Sequence, residues 1–97
     1  MAIQIEHTDT YGGEANYSWV RRYYCTDDLT DAQAIRLAKR VTGYTGYRCR
    51  TEHLGGDDDI AIYPVGVCQV IFISYVENEY VQGTHVNARR EEVNATN

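Results

Sequence analysis

TDDLTDAQAIRLAKRVTG, residues 26–43, decides the fold, because it is the one stretch with a helical rather than an alternating apolar pattern. Thr30 followed by Gln33 has capping-box spacing, Asp31 places negative charge in the first turn, and Gly43 stands where a C′ residue belongs. These signals predict a helix from about Asp31 to Thr42, about 18 Å long at 1.5 Å per residue. At 100° per residue, Ala34, Ile35, Leu37, Ala38 and Val41 share one arc, while Gln33, Arg36, Lys39 and Arg40 share the opposite one. One side is built to pack on a sheet; the other is a basic helix face (Arg36, Lys39, Arg40) and a secondary candidate surface.

The segments on either side read as strands. AIQIEH (Ala2 to His7) alternates, and EANYSWVRRYYC (Glu14 to Cys25) is rich in aromatic and β-branched residues. Gly12 and Gly13 between them predict a hairpin with a long loop. After the helix come a strand at about Tyr47 to Leu54, a turn in GGDDD, and a short strand in IAIY. Pro64 and Gly66 suit the second and fourth positions of a type I turn. VCQVIFISYV (Val67 to Val76) is apolar on both faces, the mark of a central strand. The expected fold is α+β: one antiparallel-rich sheet in ββαβββ order with a single helix on one face. Residues 1–76 form the expected domain, and 77–97 a polar extension in which YVQGTHV can supply one more strand, within the chain or to a second copy as a dimer, the assembly slightly favoured.

The 97 residues suit one domain with a modest core. The net charge of −5 is uneven: residues 20–50 carry seven basic side chains against Asp27, Asp28 and Asp31. The acidic total disfavours general coating of nucleic acid, and the basic middle leaves room for a local anionic site. MAIQIEH shows no secretory pattern, so a cytoplasmic protein is expected. Cys25, Cys49 and Cys68 form no close pair, which disfavours a closed zinc site and marks them as small buried hydrophobes in strands.

No G-x-S-x-G, P-loop, H-E-x-x-H, EF-hand or G-x-G-x-x-G pattern occurs, and His7, His53 and His85 are scattered. Neither an enzyme, a metal nor a cofactor is expected. In the second strand the odd positions (Tyr17, Trp19, Arg21, Tyr23, Cys25) are the more apolar, so that set is expected under the helix with Trp19 at its centre. Arg21 then needs an edge or a carboxylate, Glu14 or Glu6. The even side, together with the polar side of the third strand, gives the candidate partner surface: Arg22, Tyr24, Arg48, Arg50 and Glu52. Guanidinium forks and tyrosines suit a protein or nucleotide partner.

The blocks DTYGGEANYSWVRRY (residues 9–23), TGYTGYRCRTE (42–52) and IAIYPVGVCQVIFI (60–73) resemble small uncharacterised accessory proteins of tailed bacteriophages and prophages, over about residues 3–76. The resemblance implies a protein that acts inside a bacterium, many such proteins binding and modulating or inhibiting a host protein. Anti-defence proteins such as anti-CRISPRs are the leading example. The alternative is a module for an anionic nucleotide or single-stranded nucleic acid, with Arg22, Arg48 and Arg50 on phosphate and Tyr24 stacked on a base.

Overall fold

The computed structural model describes residues 2–55 and 59–77. Its elements are β1 (Ala2–Asp9), β2 (Val20–Cys25), α1 (Asp31–Val41), β3 (Cys49–His53), β4 (Ile60–Pro64) and β5 (Gln69–Val76). The sheet order is β2-β1-β5-β4-β3, and every neighbouring pair is antiparallel. The fold is therefore α+β in ββαβββ order, and β5, apolar on both faces, lies at the centre as its composition requires. YVQGTHV, the rest of the extension beyond Glu77 and most of the GGDDD turn lie outside the described residues.

Strands β2 and β3 are the two edges and run in the same direction, so no hairpin can join them. The chain passes between them through α1, which crosses one face of the sheet. The capping box is formed: Thr30 Oγ1 accepts from Gln33 N–H at 3.2 Å, and Gln33 Oε1 accepts from Thr30 N–H at 3.0 Å. The helix ends at Thr42, and Gly43 takes φ +86°, a left-handed conformation that only glycine adopts without strain. Among the described residues no helix is long and apolar enough to cross a membrane.

The core lies under α1. Ile3 and Ile5 of β1, Ile60 and Ile62 of β4, and Ile71 and Ile73 of β5 pack with Cys25, Ala34, Leu37 and Ala38, all buried. In the register, Ile5 and Ile60 both stand beside Ile73, and Ile62 beside Ile71. Six β-branched side chains on three adjacent strands suit a pleated surface, each contributing about 1.5–3 kcal/mol on burial. On the other face, Tyr24 is buried with Ala2 and packs with Val76.

Several expectations shift. Strand β2 starts at Val20, not Glu14, so Trp19 stands just ahead of it, half-buried at the end of the sheet instead of at the core centre. Tyr23 and Cys25 do lie on the helix side, as the odd-position reading requires. Arg21 is exposed and has no buried charge to satisfy; its guanidinium lies 5.7 Å from the Trp19 ring centre. Pro64 ends β4 and opens the turn instead of holding its second position. Val67 N–H returns to Pro64 C=O at 3.3 Å and Gly66 takes φ +78°, the third-position glycine of a type II turn. Cys25 is buried, Cys49 half-buried and Cys68 exposed, so the expectation of three buried strand cysteines holds for the first alone.

Candidate functional site

The register fixes where the sequence-predicted surface lies. Arg22 stands opposite Glu6, Glu6 opposite Phe72, Phe72 opposite Ala61, and Ala61 opposite Glu52. Arg22 and Glu52 thus share one row on the face away from the helix, but at its two ends, roughly 19 Å apart at the usual strand spacing. Arg22 donates from Nε to Glu6 Oε2 at 2.8 Å. Arg50 pairs with Glu52 on its own strand, and its guanidinium lies over the Tyr63 ring, 4.3 Å from the centre. Tyr24 is only 6 % exposed. Arg48 precedes β3, exposed, with its carbonyl accepting from Val65 N–H at 3.0 Å. The structure brings Arg50 and Glu52 together at one edge and leaves Arg22 and Tyr24 at the other. On α1, Arg36 is exposed while Lys39 and Arg40 are half-buried in its last turn.

A different group assembles at one end of the sheet. The β1–β2 loop (residues 10–19), the segment after α1 and the β4–β5 turn all emerge there. Together with the first residue of β2 they carry the exposed large apolar side chains of the described residues: Tyr11 (70 % exposed), Tyr17 (48 %), Val20 (37 %), Tyr47 (41 %) and Val65 (50 %). The segments are tied to one another. Thr10 N–H donates to Cys68 C=O at 2.9 Å, and Tyr47 Oη donates to Val65 C=O at 2.9 Å.

Beneath these residues lies a polar and aromatic layer. His7 Nε2 is 2.7 Å from Gln69 Oε1, which also accepts from Tyr44 Oη at 2.5 Å. An oxygen acceptor there makes Nε2 the protonated nitrogen of His7. Nδ1 is then a bare acceptor, and it is buried with no hydrogen-bond partner among the described residues. Trp19 meets the His7 ring edge-on at 4.8 Å, and Tyr44 meets Tyr47 in the same way at 5.1 Å. Burial lowers the His7 pKa, its bond to Gln69 works the other way, and the nearby Arg21 charge lowers it further.

Asp9 organises the loop. The carboxylate is 1 % exposed; Oδ1 accepts from Ser18 N–H at 3.0 Å and Oδ2 from Asn16 Nδ2 at 3.1 Å. Its carbonyl takes Asn16 N–H at 2.9 Å. Burial acts to raise its pKa, but the hydrogen bonds from Ser18, Asn16 and the Tyr11 backbone outweigh it and the net direction is downward. Both neighbours of Tyr17 are therefore held by one buried carboxylate. Tyr17 itself takes φ +54°, the one non-glycine residue with positive φ among those described. A bulky side chain there is an outlier that costs on the order of 1–3 kcal/mol.

The far end of the sheet has the opposite character. Asp27, Asp28 and Asp31 lie around the start of α1, and Asp59 just ahead of β4. Asp59 Oδ2 accepts from Tyr75 N–H at 2.9 Å, and Tyr75 Oη donates to Asp31. Burial, the bond to Asp31 and the fields of Asp31 and Asp59 push the Tyr75 hydroxyl up to about 12. Arg21, Lys39, Arg40 and Arg48 lie toward the tyrosine-bearing end, so the molecule is polarised along its strands. Among the described residues no group of three or more His, Cys, Asp or Glu side chains is placed to hold a metal ion.

The sequence did not reveal this end as a surface. Its signals, four tyrosines and four glycines in residues 11–17 and 43–47, are visible. The strand order that gathers those loops is not written in any local pattern. Comparison with protein-family models, with curated proteins and with solved structures finds no match.

Proposed function

We propose that the chain is a phage-derived accessory protein that works without catalysis in the bacterial cytoplasm, by binding and modulating a host protein through its tyrosine-bearing end. Anti-defence inhibition, of the anti-CRISPR kind, is the first role to test. The observation that carries the reading is Tyr17. A half-exposed tyrosine is held at φ +54° by a buried carboxylate that grips the residues on both sides of it. Strain of this kind persists where the surroundings impose it, and it concentrates at sites of function. Tyr11, Tyr17 and Tyr47 add rigid amphipathic area near Arg21 and Arg48, the residue types enriched where protein interfaces carry most of their energy.

A phosphate-bearing partner is supported less well. Arg22 and Arg50 already hold Glu6 and Glu52, so a phosphate must first displace a carboxylate of the same chain. Affinity capture from bacterial lysate separates the readings. The wild-type chain is expected to retain a stoichiometric protein, and Tyr11→Ala/Tyr17→Ala/Tyr47→Ala to lose it at least about tenfold, as removal of several central aromatics requires. Retention by the triple variant overturns the assignment of the surface. A captured oligonucleotide with steep salt dependence, or turnover of a substrate, overturns the reading itself.

A further inference from the structure

We infer that β3 is a self-pairing edge: two copies of the chain join antiparallel through Cys49–His53, about a two-fold axis at Thr51, into one continuous sheet. Among the described residues β3 pairs with β4 alone. Val65 N–H bonds to Arg48 C=O and Leu54 N–H to Asp59 C=O, both toward β4. Backbone groups alternate along an antiparallel strand, so Arg48, Arg50, Glu52 and Leu54 face β4, while Cys49, Thr51 and His53 turn their N–H and C=O groups outward. Arg50, Thr51 and His53 are exposed. The five pairs with β4 run without a bulge and β3 has no proline, so two of the common devices that blunt an edge are missing.

The side chains select the second copy and its register. With Thr51 opposite Thr51 of the second copy, Arg50 of each chain stands opposite Glu52 of the other, twice by symmetry. These charges fall at non-hydrogen-bonded pairs, where side chains approach most closely. A slip by two residues sets either Glu52 against Glu52, or Arg50 against Arg50 with Arg48 opposite Glu52; each slip carries a like-charge pair that the register centred on Thr51 lacks. Thr51, β-branched, meets its own copy at the axis, and Cys49 meets His53. The Arg50 guanidinium rests on Tyr63 and already holds Glu52 of its own strand, so in the dimer each Glu52 lies between two guanidiniums, its own and the one across the axis.

Sedimentation of the full chain over a dilution series tests this, with circular dichroism confirming that each variant is folded. Wild type is expected to pass from monomer to dimer with concentration. Glu52→Arg or Arg50→Glu, each placing like charges opposite, should weaken the dimer by about tenfold or more. Mixing these two single variants should yield a heterodimer, and the double exchange R50E/E52R should dimerise again. Thr51→Pro should abolish pairing, because it removes an outward N–H and leaves the β4 ladder whole. A wild type that stays monomeric at the highest concentration overturns the proposal. Single variants that dimerise as well as wild type do so too, since the contact then lies elsewhere.

Discussion

Tyr17 shows how one residue can be sacrificed for display. Asp9 binds Asn16 and Ser18, and the backbone between them has little choice but to turn left-handed. Exchanging Tyr17 for glycine and for alanine separates backbone from ring, since both remove the ring and only glycine relieves the φ. Tyr17→Gly should be more stable than Tyr17→Ala by about 1–2 kcal/mol in chemical denaturation. Equal stabilities would show that the loop relaxes and stores no strain. His7 supplies a second residue-scale prediction. Its folded pKa lies below the unfolded value of about 6.5, so the unfolded chain binds more protons on acidification and stability falls as pH drops through that value. Melting temperature should therefore decline from about pH 7.5 to about pH 5.5, and His7→Gln should flatten the decline. A profile that is already flat in the wild type would contradict the buried neutral imidazole.

Elements differ in how much of themselves they show in sequence. The bounds of α1 were legible to within one residue because Thr30, Gln33 and Gly43 each act locally, on backbone groups a turn away. The centre of the sheet was legible because β5 has no polar face to give to solvent. The start of β2 was not. Asn16, Tyr17 and Ser18 alternate as a strand would, and only the distant Asp9 carboxylate pulls them out of the ladder. The candidate surface read from sequence is split between two edges for the same reason one level up. Parity placed Arg22 and Glu52 on one face correctly, but the helix crossover sends their strands to opposite edges. The core consequence can be measured. Ile73→Ala, in the middle of the isoleucine cluster, should destabilise by about 2–5 kcal/mol. Trp19→Ala, half-buried at the sheet end, should destabilise by about 1–2 kcal/mol, below the figure for a central tryptophan. The reverse order would return Trp19 to the core.

At the scale of the molecule, the strands run from an acidic end around Asp31 and Asp59 to a tyrosine-bearing end with Arg21 and Arg48. The isoleucine core holds the two ends apart, and loops at the second end are joined by backbone bonds such as Thr10 to Cys68. A surface so held is preorganised, which lowers the entropy lost when a partner docks. Edge pairing through β3 leaves this end free, because the axis at Thr51 lies beside the sheet and the tyrosines lie at the head of its strands. Amide hydrogen exchange of the full chain, alone and with the protein it captures, reads out which end of the sheet the partner covers. New protection is expected at residues 10–19, 43–48 and 65–68, with 31–40 unchanged. Protection confined to the helix, or to the acidic loop at 26–30, would contradict the proposed surface.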